Sequence, residues 1–377
     1  MYSIIGGGIG GLTTALAFEK MGVEYQLFEK AERLRPIGSG ILLTPNALKV
    51  FEWLGILDDI VRSGSPMKRI TLTKPDLSPL FDYQQDDVKE KYGHYSLSIH
   101  RWELQRILLQ GLSNEKIHLG KSLSGFEQED DGVRMLFEDG TATMTSFLIG
   151  ADGIHSRIRQ RLFPTSGTRY SGQTCWRGIC ALDQNISEAY RYRGIEMWGE
   201  QLRFGISQIE TDKFYWFAVI LSPPDEKDIQ GRVKDRLSTS FKNFHPIVKT
   251  LIRATDEQDI IRSDIYEVLT MTKWYHENIC LLGDAAHATT PNMGQGGAQA
   301  IEDAYFLTRA IKNGGPGSAF ARFQKLRAKK VARIVKRSWI MGKAGHWKHF
   351  TGLRNLLLKT APRALLKSEW RSIYSLE

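Results

Sequence analysis

The apolar positions of this chain follow two periodicities, and their order predicts the architecture. An apolar run beginning at Tyr2 reads as a buried strand, followed by a glycine-rich turn, a helix and a second strand that ends at Glu29. Pro45-Asn46 opens another helix, with Leu48, Phe51, Trp53 and Leu54 as its apolar positions. Alternation from Leu123 to Phe137, broken at Asp130-Asp131-Gly132, predicts a hairpin, and Phe147 to Ile149 a further buried strand. From about Thr174 to Ser222 the alternation becomes strongly aromatic, which predicts a mostly antiparallel sheet; residues 225–256 read as charged helices covering it, and Asp264 to Thr272 as a return strand. Ile279 to Leu282 is again a short apolar strand, and a helical pattern follows from about Gln299 until Gly314-Gly315-Pro316-Gly317 ends it.

Composition adds size and charge. At 377 residues, 42% hydrophobic and 25% charged, the chain suggests two domains with ample material for a core. No apolar run reaches the roughly 20 residues of a membrane span, and Met1 leads straight into the first strand, so a cytoplasmic location is expected. Cys175, Cys180 and Cys280 form no metal-like spacing, and no metal site is expected. Charge is uneven: Arg322 to Arg371 holds 15 Lys and Arg against the single acid Glu369, a balance of +14, which leaves −5 for the rest of a chain whose net charge is +9. Because Trp339, Trp347, Phe350 and Leu353 to Leu358 are interleaved with these charges, the segment reads as amphipathic helices packed on the body, with peripheral contact to a membrane surface as the alternative and no nucleic acid as partner.

Three glycine-containing stretches carry the candidate chemistry. Gly6, Gly8 and Gly11 form G-x-G-x-x-G between a strand and a helix: the first makes the turn, the second admits a pyrophosphate and the third allows close helix–sheet packing. Glu29, 18 residues after Gly11 and at the end of the next strand, is placed to bind ribose hydroxyls, with Lys30 beside it. Gly150-Ala151-Asp152-Gly153 follows the apolar strand Phe147 to Ile149; Asp152 can fix that loop through backbone N–H groups, while Arg159 offers a cation on the next helix. The third stretch, ICLLGDAAHATTPNMGQGGAQAIEDA, places Asp284 at a strand's carboxyl end, stiffens the loop at Pro291, and brings the Gly294, Gly296, Gly297 and Ala298 backbone to a helix start, where N–H groups can face a flat, electron-rich ligand. His287 in this loop reads as a brace.

In their order, these three motifs resemble those of the flavin-dependent aromatic hydroxylases, the para-hydroxybenzoate hydroxylase-like monooxygenases, across most of the chain. The resemblance implies FAD as resident cofactor and NADH or NADPH as a transient reductant. Asp284 would hold the ribitol, Pro291 and Gly294 to Ala298 the isoalloxazine ring, and the Asp152 motif would serve both the FAD pyrophosphate region and NAD(P)H. Arg101, at the start of the helix after Ser98-Ile99-His100, and Arg35, in the crossing segment, would be further cofactor contacts. The fold implied is a Rossmann-like FAD-binding domain (1–70, 96–165 and 275–325), a mostly antiparallel substrate domain (71–95 and 166–274), and basic C-terminal helices (326–377).

The activity implied is insertion of one oxygen atom of O2 into an aromatic or polyene substrate through a flavin C4a-(hydro)peroxide. Arg203 and Tyr215, polar tips in the aromatic sheet, are the candidate substrate-side catalytic residues, while Trp198, Phe204 and Trp216 are read as packing. A flavin reductase of an unsaturated lipid and a non-catalytic flavoprotein that sequesters a ligand remain the alternatives. The W-x-W-x-I-P signature of flavin-dependent halogenases is absent.

Overall fold

The computed structural model describes residues 1–34, 39–360 and 370–376. Its organising element is a six-stranded sheet in the order Tyr275–His276, Ile279–Leu281, Phe147–Gly150, Tyr2–Ile5, Tyr25–Glu29, Ile117–Leu119. Every pairing is parallel except the one at the Tyr275–His276 edge. Ile5 lies opposite both Gly150 and Phe28, and Gly150 opposite Leu281. Parallel register therefore brings the carboxyl ends of three strands, drawn from the beginning, middle and last third of the chain, to one edge. Such a sheet is buried on both faces, and Ile4, Leu27, Leu148, Ile149, Ile279 and Leu281 are all fully buried.

The second layer is a seven-stranded sheet in the order Ile261–Val268, Thr168–Ala181, Lys213–Leu221, Leu202–Gln208, Arg193–Trp198, Arg69–Thr73, Pro79–Gln84. It is antiparallel except where Arg193–Trp198 runs alongside Arg69–Thr73. Successive side chains alternate faces, and the consequence is sharp here. Trp176, Phe204 and Trp216 join one core cluster with Leu237, Phe241 and Leu251 from the helices Val233–Ser240 and Pro246–Ala254. Their neighbours Cys175, Arg177, Arg203, Tyr215 and Phe217 consequently point to the opposite face. The packing role expected of Trp216 and Phe204 is observed: their rings stack with centroids 5.5 Å apart, and the Trp216 indole N–H donates to Thr255 Oγ1 at 2.8 Å.

The helix Gly296–Gly314 leads through Gly315 (φ +69°) into a 30-residue helix, Pro316–Gly345, which runs without a break across the boundary drawn at 325/326. A shorter helix, Thr351–Thr360, follows. The architecture is the α/β fold expected, with a mostly parallel sheet, a mostly antiparallel sheet and C-terminal helices.

Candidate active site

All three motifs sit in loops leaving the same edge of the parallel sheet. At the first, Gly6 adopts φ +113°, and a Cβ there would meet Ala151 O at 2.3 Å; a Cβ on Gly11 would meet Gly6 O at 1.9 Å. The first and third glycines are thus required by the packing of the turn against the Asp152 loop and against itself. Gly8 differs: among the described residues nothing lies within 4 Å of the position its Cβ would occupy, and it caps the helix Ile9–Met21, whose first turn has neither an acidic residue nor, among the described residues, a side-chain cap. An open glycine at an uncapped helix N-terminus has the form of a phosphate seat. Glu29 closes one side. Its Oε2 accepts from Gly7 N at 2.5 Å and its Oε1 from Ala31 N at 2.9 Å. Lys30 beside it is exposed.

Arg101 is exposed at the first position of the helix Arg101–Gln110, and its N–H donates to Ser39 O at 2.9 Å. One turn on, Gln105 Nε2 donates to Gly7 O at 3.4 Å, which sets this face of the helix against the glycine turn. Gln105 carried no motif signal in the sequence. His100 caps the helix through Nδ1, which accepts from Trp102 N at 3.1 Å, a structural role. Arg35 lies outside the described residues.

Asp152 Oδ2 accepts from Ile158 N at 3.3 Å, while its Oδ1 is buried without a partner among the described residues. Burial pushes the Asp152 carboxyl above its ordinary range, against the nearby donors. Ser156 caps the following helix by accepting from Arg159 N at 2.9 Å. The cation expected from Arg159 is not offered to a ligand. This side chain is buried and donates to Ala285 O at 2.9 Å and Ile154 O at 2.6 Å, so it fastens the Asp152 loop to the Asp284 loop. An arginine whose fork satisfies carbonyls of two loops reads the same in sequence as one that binds phosphate.

In the third loop Gly283 adopts φ +58°, and the Asp284 carboxylate that follows is exposed, with no hydrogen bond or ion pair among the described residues. Pro291 is exposed in the turn Pro291–Met293. Gly294 takes φ +61°, and Cβ atoms on Gly294 and Gly297 would stand 2.8 and 2.7 Å from Leu42 and Ile41, on the strand Gly40–Leu43. The helix Gly296–Gly314 then begins with no acidic residue in its first turn and no side-chain cap, leaving the N–H groups of Gly296, Gly297 and Ala298 facing outward from a 19-residue dipole. A flat ligand with an electron-rich edge suits this end, and a sugar-alcohol chain suits Asp284.

Behind the loop lies a buried charge network that the sequence did not announce. Asp303 accepts from Gly283 N at 3.0 Å, sits 2.6 Å from His287 Nε2, and pairs with Arg327 Nε at 2.7 Å. Glu302 is held by Arg327, by Lys330 Nζ at 2.9 Å and by Asn46. Gln299 Oε1 accepts from Arg327 at 2.6 Å. Glu302, Asp303 and Arg327 are fully buried. Burial pushes Asp303 up, but His287 and Arg327 outweigh it and hold the carboxyl below its usual value. Burial draws Lys330 below the ordinary lysine range despite Glu302. His287 is the brace expected. The signal that could have exposed this network is the pair Glu302-Asp303 beside Ala298, Ile301 and Ala304, charges at core positions of a helix.

The antiparallel sheet reaches this site through two residues. Arg203, buried, donates through Nε to Glu196 Oε1 at 2.6 Å and through its terminal nitrogens to Glu196 and to Asn292, which follows Pro291. The ring of Tyr215 stands on Gly40, where a Cβ would approach it to 2.5 Å. Burial pushes the Tyr215 hydroxyl up to about 12, although Arg177 beside it pulls the other way. Among the described residues no cluster of His, Cys, Asp and Glu could hold a metal ion.

The family of FAD binding domains matches residues 2–335. The chain belongs to this family. The open Gly8, the Glu29 carboxylate, the exposed Asp284 and the two helix starts, uncapped among the described residues, all fit FAD. Among relatives, the chain is 33% identical over 347 residues to the aurachin C monooxygenase/isomerase of Stigmatella aurantiaca, covering 92% of this chain and 90% of that protein. It is 34% identical over 365 residues to the 2-heptyl-3-hydroxy-4(1H)-quinolone synthase of Pseudomonas aeruginosa, covering 96% and 94%. The solved structure of Klebsiella pneumoniae HpxO complexed with FAD and uric acid superposes with a TM-score of 0.91 at 26% identity, over 99% of this chain and 96% of that one. This FAD-binding protein is thus an enzyme of the flavin-dependent monooxygenase class, as the motifs implied.

Proposed function

We propose that the chain is an NADH- or NADPH-driven monooxygenase that adds one oxygen atom of O2 to a planar nitrogen heteroaromatic ring bearing an alkyl chain. The ring class follows the names of the relatives above, one a heptyl quinolone synthase, and the complex of HpxO with uric acid. The observation that carries the reading is the approach of the antiparallel sheet to the FAD loops through Arg203 at Asn292 and Tyr215 at Gly40.

In this reading residues 1–70, 96–165 and 275–325 hold the cofactor. Gly6 and Gly11 shape the turn in which the open Gly8 seats the pyrophosphate, with help from Arg101 and the Asp152 loop, while Glu29 with Lys30 takes the adenosine side. Asp284 binds the ribitol, and Pro291, Gly294, Gly296, Gly297 and Ala298 line the isoalloxazine ring. Residues 71–95 and 166–274 form the substrate side, and the segment from 326 the cover. FAD, once reduced, supplies the O2 chemistry. The chain's own contribution is electrostatic and protective: N–H groups at Gly296 to Ala298 stabilise negative charge at the ring edge, and loss of one such preorganised donor typically costs about 2.7–4 kcal/mol. With a hydroxyl pushed to about 12, Tyr215 stays protonated at neutral pH. It therefore orients a ring oxygen or carbonyl as a hydrogen-bond donor and does not act as a base. Arg203, buried and paired with Glu196, ties the antiparallel sheet to Asn292 and so positions the turn that follows Pro291. The lipid reductase and the sequestering flavoprotein are not favoured, since both protein relatives named are synthetic or oxygenating enzymes.

The test is NADH and NADPH oxidation by the FAD-loaded protein across 2-alkyl-4(1H)-quinolones and uric acid, with oxygenated product quantified. Substrate-stimulated oxidation matched by product is expected; oxidation that no ring compound accelerates overturns the reading. Asp284→Ala protein should lose flavin on desalting, and full retention would remove the ribitol role.

A further inference from the structure

We propose that the outer face of the helix Pro316–Gly345, with the helix Thr351–Thr360, docks the enzyme on an anionic lipid surface. Arg322, Lys325, Lys329, Arg333, Lys336 and Lys343 are all exposed, and their spacing places them within an arc of about 80° at 3.6 residues per turn. Among the described residues none of the six forms an ion pair, and the sequence holds no Asp or Glu between Asp303 and Glu369. Ile340 continues the same arc and is 54% exposed.

At the carboxyl end of the stripe the surface turns apolar. Trp347, Phe350 (77% exposed), Leu353, Leu356 and Leu357 (57%) are all open to solvent, while Arg354 of the same helix is turned inward to the Gly199 and Gly345 carbonyls. A helix that buries its arginine and exposes its leucines is inverted relative to an ordinary surface helix. Clustered exposed apolar side chains mark an interaction surface. Cations in a row beside aromatic and leucine side chains match a membrane interface, where basic groups meet anionic headgroups and apolar ones enter the acyl boundary. A nucleic acid would satisfy the cations and leave the leucines and Phe350 in water. The contact is a surface one, since no helix among the described residues is long and apolar enough to cross a membrane. It goes beyond the catalytic reading and does not depend on it.

The experiment is co-sedimentation of the FAD-loaded full chain with vesicles of phosphatidylcholine containing phosphatidylglycerol, against phosphatidylcholine alone, at low salt and at about 0.5 M salt. Flavin absorbance in the pellet reports folded protein. Binding to the anionic vesicles only, and its loss in high salt, is expected. Lys329→Glu/Arg333→Glu/Lys336→Glu should weaken it by on the order of 100-fold, at about 1 kcal/mol per basic residue near a charged membrane. Leu353→Ser/Leu356→Ser/Leu357→Ser should weaken it by about tenfold or more and leave the salt dependence in place. The proposal is overturned by wild-type protein that stays in the supernatant at low salt or that binds both vesicle types equally. It is also overturned by charge-reversed protein that binds as wild type does, by a duplex DNA that is bound when vesicles are not, or by leucine variants that change only the oligomeric state. The salt series on wild-type protein decides the matter even if a variant fails to retain FAD.

Discussion

The helix Pro316–Gly345 carries the same basic side chains on two faces and treats them in opposite ways. On the inner face Arg327 and Lys330 are drawn under the helix Gly296–Gly314, where Glu302 and Asp303 wait for them and every charge has a partner. On the outer face Lys329, Arg333 and Lys336, within nine residues of Arg327, stand in solvent. Residue type is therefore a poor guide to what a charge contributes; its dielectric surroundings and partners decide. A buried pair is costly to form and costlier to break from one side, whereas an exposed cation is nearly silent in the fold.

Arg327→Met is the sharpest way to break this comparison. It leaves Glu302 and Asp303 buried with too few counter-charges, and a loss of about 3–5 kcal/mol in denaturant unfolding is expected. Because Asp303 also holds Gly283 N and His287, flavin should dissociate faster as well. Stability within about 1 kcal/mol of wild type would show the network to be incidental.

A smaller effect is expected at the far end of the helix, and it depends on pH. His346 is buried, bonded through Nδ1 to Gly342 O at 2.9 Å, and held at a pKa of about 4 first by burial and then by Arg203 nearby. The unfolded chain takes up this proton near pH 6.5, the folded chain only near pH 4, so the contribution is full above pH 6.5 and is lost as pH falls through that window. It is worth roughly 3 kcal/mol. Unfolding midpoints measured from pH 7 to pH 4 should fall less steeply for His346→Phe than for wild type; parallel profiles would sink the assignment.

The smallest change is expected on the outer face. Lys336→Ser should alter unfolding free energy by less than about 0.5 kcal/mol. A loss comparable to that of Arg327→Met, in the same denaturant assay, would erase the distinction between the two faces.

What the sequence made legible follows the same line. Glycines that cannot carry a Cβ, such as Gly6 and Gly11, and apolar runs that must be strands are constraints written locally, so the parallel sheet and its three loops could be read residue by residue. The alternation of Trp176, Phe204 and Trp216 with Cys175, Arg203 and Tyr215 gave the second sheet its two faces for the same reason. The partners of charges are not local. Arg159 was legible as a cation but not as a clamp between two loops, and Arg327 lies 24 residues from Asp303 on another helix. Gln105 reaches Gly7 across 98 residues with no motif to mark it.

The parallel pairing of Tyr2–Ile5 with Phe147–Gly150, and of that strand with Ile279–Leu281, sets a timetable for synthesis. The first glycine turn leaves the ribosome early, yet the sheet edge it shares with the other two motif loops is completed only when Ile279–Leu281 has emerged. Until then the growing polypeptide holds a Rossmann-like half with an open strand edge, a form prone to pairing with the wrong neighbour. A nascent chain stalled before Ile279 should therefore retain no FAD however well its first half folds, and flavin retention should begin only once Ile279–Leu281 has paired.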